Sequence, residues 1–578
     1  MKTYPKLLSL ALAGLMIQQA SATDLVLLNG KIFTADSKNE QVQALAVEDG
    51  KISAVGNDAQ IKKLVDVNTH VIDLNGQRVL PGFIDAHSHG VLGGVQLSSA
   101  DIKDEVLSLD QLEAKINEFK QNDTMVRSGV LKVMGVNGAT WTQTNELHQR
   151  FNASEWQTAP LALMASDYHT GWANDVLLKQ AGITKEMIAA LPKAEQGVYG
   201  QFEDGRPNGF LVDAAWDKVN SILPEFTQQE IMHAAELAVK YNHSFGITAW
   251  MDPTANATPS DSIFSMSPTE NTVGVLPGYK GLADQGKLKA HVAGLLVANS
   301  KSSPADLVAL DKVRQQFQGI ENLTIAGIKI FADGILRYPM QSAAVLSPYK
   351  NSGERGELLF NEQDFAEFVT AADKDGWIVH VHAIGDRAVQ ESLNAVEAAR
   401  KANKNMDIPH SITHMQLVSA ADIPRFSELN VIADMQLAWA GADEYRIPPV
   451  KPYIDAEAFE LMYPAKSLQN AGAIIASSSD WPDSQPNPWL TVQKGILRDG
   501  PYGVLNAKES LTLKDMLYSY TVNAAKAIGL EQKIGSLQAG KQADFIVIDR
   551  DVFNSPVNEL NQTQVLQTYF AGELVYSK

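Results

Sequence analysis

Between Asp24 and Val79 short apolar runs alternate with turn pairs. Leu25-Val26-Leu27-Leu28 is followed by Asn29-Gly30 and Lys31-Ile32-Phe33-Thr34, and Ala44–Val47 by Glu48-Asp49-Gly50 and Lys51–Gly56. Asn-Gly and Asp-Gly between such runs predict β-hairpins. The same texture returns at the end of the chain, in Ala543–Asp549 and Val565–Val575. Neither end has enough strands to bury a face alone, so the two are expected to combine into one small β domain, residues 23–79 plus 535–578.

Between these ends, helical periodicity alternates with apolar runs, which predicts βα units and a parallel sheet. Eight runs read as strands: Phe83–Asp85, Ile247–Met251, Ala290–Val297, Thr324–Phe331, Trp377–Val381, Ser411–Thr413, Val431–Met435 and Ala473–Ala476. Eight such units suggest an α/β fold of the (β/α)8, TIM-like barrel type over residues 80–534. Gln363–Lys374, Ala388–Asn403 and Leu513–Ile528 read as amphipathic helices. Residues from about 91 to 227 are too many for one βα connection and carry their own runs, Val130–Val136 and Leu161–Met164, so an inserted α/β lobe is expected there. Thr254–Asn271, rich in Ser, Thr, Pro and Asn, reads as a long loop.

Composition narrows the function classes. With 578 residues, one large domain carrying accessory parts is expected. A formal net charge of −19 argues against non-specific binding of nucleic acid or anionic membrane. The absence of cysteine excludes disulfides, thiolate metal sites and cysteine nucleophiles. Lys2 and Lys6 precede the apolar run Leu7–Ile17 and the small-x-small pattern Ala20-Ser21-Ala22. Residues 1–22 therefore read as a secretory signal peptide, too short in its apolar core to be a stable membrane anchor. An exported, periplasmic protein is the expectation.

Candidate chemistry sits at the ends of the apolar runs. Leu80-Pro81-Gly82-Phe83-Ile84-Asp85-Ala86-His87-Ser88-His89 ends in two histidines two residues apart, which in a strand share a face. Lys329 lies within Ile325–Phe331, where an ordinary ammonium is costly and needs an acid partner or modification. His380 and His382 share a strand face, with His380 a candidate support for His382. His414 ends another run, and Asp480 follows Ala476-Ser477-Ser478-Ser479. Each residue alone has an ordinary structural reading: a satisfied polar strand end, a salt-bridged lysine, a turn-capping aspartate. Jointly they point to one metal site, because a barrel brings its strand ends to one face.

These segments, with Gly327–Gly334, His382–Ala388, Ser479–Pro482 and the closing Ile534–Asp544, resemble the amidohydrolase superfamily. Within it the chain resembles the amidohydrolase 3 group, which includes N-substituted formamide deformylases and exoenzyme-regulatory proteins. The resemblance implies a metal-dependent hydrolase with a TIM-like barrel and a composite β-sandwich. It implies that His87 and His89 bind one metal, that His382 and His414 bind the other, and that a carboxylated Lys329 bridges both. Asp480 would bind the first metal and serve as general base, then acid, in attack by a metal-activated hydroxide on a carbon–nitrogen bond. Two zinc ions per chain are the expected cofactor, although the donor set does not exclude other divalent ions. In Asp167–Asn174, His169 corresponds to a family position that implies contact with the substrate. A loop histidine beside a lobe-core Trp172 is an equal reading. The expected partner is a small amide-like molecule, not nucleic acid, and a homo-oligomer is compatible.

Two departures from the family pattern bear on specificity. Ile335–Ser342 replaces a shorter turn after Asp333-Gly334, and Ile412-Thr413-His414 stands where relatives have Ile-Glu-His. Trp250, Met251, Trp439 and Trp481 are candidates for an apolar pocket wall or for core. Two other functions compete. A mononuclear deaminase of the superfamily needs a glutamate shortly after His382, where this chain has Ala383-Ile384-Gly385-Asp386. A catalytically silent binding paralogue would be free to lose ligands, yet every expected ligand is present.

Overall fold

The computed structural model describes residues 23–578 apart from 123–124, 167–169, 260, 262, 264–265 and 300; the expected signal peptide and His169 therefore lie outside the described residues. Eight parallel strands form the centre: Phe83–Asp85 (β1), Ile247–Asp252 (β2), His291–Ala298 (β3), Leu323–Phe331 (β4), Ile378–Ala383 (β5), Ser411–His414 (β6), Ile432–Met435 (β7) and Ile475–Ser477 (β8). They pair in chain order from β1 to β8. The amide of Ala86 donates to the Ser477 carbonyl at 3.3 Å, drawing the two ends together into a nearly closed barrel. All eight predicted runs are strands, with ends displaced by a few residues at most. They were readable because a parallel sheet covered on both faces is a set of near-continuous apolar runs. Register aligns the polar residues: Lys329 pairs with His380 and His380 with Ser411, while Phe331 pairs with His382 and His382 with Thr413.

Strand Phe545–Ile548, near the end of the chain, runs antiparallel to Arg78–Pro81 near its beginning, with Ile546 opposite Leu80. A six-stranded sheet is built around this pair, and a four-stranded sheet holds Leu25–Leu28, Ala44–Glu48, Lys51–Gly56 and His70–Asp73. The hairpin expected at Glu48-Asp49-Gly50 is present. The one expected at Asn29-Gly30 is not. Leu25–Leu28 already has partners on both edges, antiparallel Ala44–Glu48 and parallel His70–Asp73. The chain turns at Asn29, φ 57°, and delivers Lys31–Phe33 to the other sheet, beside Arg78–Pro81.

The segment after β1 holds a mixed sheet centred on Val130–Val136, Leu161–Ala165, Thr170–Ala173 and Pro207–Val212. Its two faces bury separate clusters, one around Trp156 and Trp172, the other around Met134, Met164 and Trp216. Helix Gly90–Leu97, which falls in the same sequence interval, packs instead with the barrel: Val91 and Val95 join Ile231, Ala234 and Ala235 of helix Gln228–Ser244. The helix expected over Leu513–Ile528 is two, Leu513–Ser519 and Val522–Ala527. The break is where the Tyr520 carbonyl accepts from the amide of Ile84 in β1 at 2.8 Å, a barrel contact that replaces continuation of the helix.

Candidate metal centre

His87 and His89 leave the end of β1 under close control. The buried Asp85 carboxylate accepts from the Ser479 amide at 3.0 Å, the Ser479 hydroxyl at 2.5 Å and the His87 amide at 3.3 Å. The Asp480 amide donates to the His87 carbonyl at 2.9 Å, and the His89 amide to the Trp481 carbonyl at 2.8 Å. Residues nearly 400 positions apart in sequence are thereby bound into one lip. Asp480 has φ 58° and His414 φ 75°, both in the left-handed region. Such backbone costs about 1–3 kcal/mol and persists where surrounding contacts over-determine it, often at functional sites.

The imidazoles converge. Nε2 of His87 and Nε2 of His89 lie 3.3 and 3.4 Å from Oδ1 of Asp480, and Nδ1 of His414 lies 3.9 Å from its Oδ2. The rings of His87 and His414 are 5.0 Å apart, and those of His382 and His414 4.5 Å. In His87 and His89 the other nitrogen is held from behind, and in His414 it is Nδ1 itself that is held. His87 Nδ1 meets His380 Nε2 at 2.7 Å, His89 Nδ1 meets Thr254 Oγ1 at 3.0 Å, and His414 Nδ1 meets Gln436 Oε1 at 2.9 Å. Gln436 itself is fixed by donating through Nε2 to Thr413 and Ser478, whose hydroxyls donate to Asp434. Its Oε1 must then accept, so His414 carries its proton on Nδ1 and keeps Nε2 as a lone pair. Outer partners of this kind are how metal-binding histidines are oriented.

Electrostatics fit the same use. Burial, aided by Lys329 and neighbouring histidines, holds His87 and His414 well below the usual imidazole range, so both are neutral, the form a metal requires. Burial opposes ionisation of Asp480, but His89, His414 and Lys329 outweigh it and hold the carboxyl below its ordinary value. Lys329 is buried, and this lowers its ammonium to about 7 against the pull of Asp480 and Asp434. One ligand atom each from His87, His89 and Asp480 lies within 4.8 Å of the others; His87, His380 and Asp434 form a second such group. In that second group His380 is already spent on His87 and Ser411, and Asp434 on Thr413 and Ser478. The donor set at His87, His89 and Asp480 therefore fits a divalent cation.

Of the expected site residues, the fold brings His87, His89, Lys329, His382, His414 and Asp480 to one end of the barrel. His380 supports His87 across the barrel rather than His382, its strand neighbour. Asp434, Gln436 and Asp85 complete the site and carry no sequence signal beyond being polar in apolar runs. Trp250, Met251 and Trp481 are core, at 0, 0 and 5% exposure. Trp439 is half-buried and stacks on His414, rings 5.7 Å apart and 15° from parallel. Other histidines have structural partners: His291 with Asp544, His410 with Asp373, His243 with the Lys289 carbonyl.

The model of the amidohydrolase family matches residues 70–576. The chain belongs to that family. Among its relatives are protein LONG AFTER FAR-RED 3 of Arabidopsis thaliana, 27% identical over 560 residues, covering 96% of this chain and 91% of its own length. An N-substituted formamide deformylase of Arthrobacter pascens is 25% identical over 574 residues, covering 96% and 98%. A solved structure of an uncharacterized metal-dependent hydrolase from Pyrococcus horikoshii OT3 superposes with TM-score 0.71 at 24% identity, covering 92% of this chain and 99% of its own. That likeness carries the family's TIM-like α/β fold, and membership makes the chain an amidohydrolase-superfamily hydrolase.

Proposed function

We propose that the protein is an exported, metal-dependent hydrolase that cleaves an amide or related carbon–nitrogen bond in a small molecule. The observation that carries this reading is the convergence of His87 Nε2, His89 Nε2 and Asp480 Oδ1, with the far nitrogen of each ring held from behind. A divalent metal, zinc as the first candidate, would be held by His87, His89 and Asp480, with a second on His382 and His414. When bound it supplies Lewis acidity, acidifying the attacking water and polarising the scissile carbonyl. Lys329, half neutral near pH 7 by its burial, has the free amine that carboxylation requires, and as a carbamate it would bridge the two cations. Asp480, ionised and anchored through its own amide, accepts the proton of the attacking water and returns it to the departing nitrogen. His414 is held flat against Trp439, which offers the substrate an apolar face beside the reacting carbonyl.

The same reading keeps residues 1–22 as a leader, the two-sheet β domain as an accessory and the mixed sheet after β1 as an inserted lobe, with His169 a candidate for contacting the substrate. Purified protein carrying zinc, assayed against amides, N-acyl amino acids, lactones and aminated heterocycles, is expected to release amine from members of the first two groups. Ammonia release from the heterocycles alone would assign deamination instead, and no turnover of any class would favour a binding protein. N-terminal sequencing of the exported protein is expected to begin near Thr23.

A further inference from the structure

A cleft separate from the metal centre lies between the lobe and the barrel helix Gly90–Leu97. It is a shallow cleft, spanning about 620 Å³ of atom-free space only when the open solvent at its mouth is counted. Its walls are apolar: Val95 from the barrel side, Met134, Met164 and Leu223 from the lobe side. Two cations, Lys132 and Arg127, stand among them. Along Val130–Val136, residues 130, 132 and 134 point to the same side of the sheet by strand alternation, and 130 and 134 are apolar. Lys132 occupies the middle position and lines the cleft. Its Nζ donates to Asn220 Oδ1 at 3.1 Å, a neutral acceptor. The other charge in the wall, Arg127, is already committed to Glu230 and to the Pro224 and Glu225 carbonyls. Partial burial, with Arg127 nearby, lowers Lys132 to about 8, and among the described residues no carboxylate pairs with it.

An ammonium on an apolar face with a neutral partner is costly unless an anion joins it. Methionines beside it give walls that adapt to aliphatic surface. We infer that this cleft is a binding site for an aliphatic monocarboxylate, its headgroup on Lys132 and its chain along Met134, Met164, Leu223 and Val95. The inference does not depend on the hydrolase reading, since the cleft shares no residue with the metal centre.

Octanoate, octylamine and octan-1-ol, titrated calorimetrically into the full-length protein at pH 7, test it. Octanoate is expected to bind saturably and more tightly than the other two. Lys132→Met, which leaves an apolar face, is expected to weaken octanoate by about tenfold or more while leaving octan-1-ol unchanged. Val130→Phe, which adds bulk to a lining residue beside Lys132, is expected to weaken both, with melting temperature and metal content reporting that each variant is folded. Absence of saturable octanoate binding overturns the inference. So does equal binding by Lys132→Met, which would place the carboxylate at the metal centre, or octylamine binding as tightly as octanoate.

Discussion

Nδ1 of His87 lies 2.7 Å from Nε2 of His380, and Nδ1 of His380 lies 2.6 Å from the hydroxyl of Ser411. For His87 to present a lone pair at Nε2, its proton must sit on Nδ1 and be donated to His380. His380 must then carry its own proton on Nδ1, where Ser411 accepts it. This chain sets the tautomer of one candidate ligand from β5 and β6, across the barrel. Replacing His380 by Asn is expected to weaken metal affinity about 10–100-fold, while Ser411→Ala, one step further out, costs less. Competition with a chelator measures both, and unchanged affinity in the His380 variant would show that His87 is oriented by other contacts.

Asp480 combines a carboxyl held below its ordinary pKa with a position 3.3–3.4 Å from two imidazole nitrogens. If its catalytic share is proton transfer, Asp480→Asn keeps the ligand oxygen and loses the base. Metal content is expected to stay near that of the unaltered protein, while kcat falls by about 10²-fold or more on whichever amide is turned over. Near-normal turnover would remove Asp480 from the proton path.

Lys329 faces His380 in the strand register and is buried with its ammonium lowered to about 7. Half-neutral amine at physiological pH reacts with carbon dioxide, and a carbamate so formed would be an anion near His87 and His414, whose imidazoles already feel the Lys329 charge. The protein grown or incubated with ¹³C-bicarbonate is expected to show a carbamate carbon resonance that Lys329→Ala lacks, and the variant to lose at least one metal per chain. Full metal occupancy in Lys329→Ala would end the bridging role.

How much of this was open to reading from sequence depends on what each feature rests on. The eight barrel strands are runs such as Ile325–Phe331 whose burial on both sides writes itself into local composition. His87, His89, His382, His414 and Asp480 were findable because each terminates such a run and a barrel collects strand ends. Asp434 was not, because one acid inside Ile432–Met435 acquires meaning only from Thr413 and Ser478 on the adjacent strands, a matter of register. His380 shared a face with His382 in sequence, yet its partner is His87, 293 residues away through the barrel interior. Asn29-Gly30 misled because the turn signal is local, whereas the sheet that receives Lys31–Phe33 is decided by which strand edges remain free.

His243 gives a pH test of stability remote from the metal centre. It closes helix Gln228–Ser244, is 3% exposed, and donates from Nε2 to the Lys289 carbonyl at 2.9 Å, while its own carbonyl accepts from Thr568 Oγ1 at 2.7 Å. Burial lowers it from 6.5 to about 4, against the opposing pull of the Lys289 hydrogen bond and Asp544. The folded state therefore keeps His243 neutral where the unfolded chain is protonated. Above pH 6.5 neither state takes the proton and stability is unaffected. As pH falls from 6.5 towards 4 the unfolded state gains protons that the folded state refuses, so stability declines, by about 3 kcal/mol for the full shift. His243→Gln keeps a donor for Lys289 and removes the titration. It is expected to cost about 1 kcal/mol at pH 7.5 and to flatten the decline, so that the two proteins converge or cross by pH 4.5. Urea midpoints at the two pH values measure this, and parallel declines in both proteins would assign the acid sensitivity to other groups.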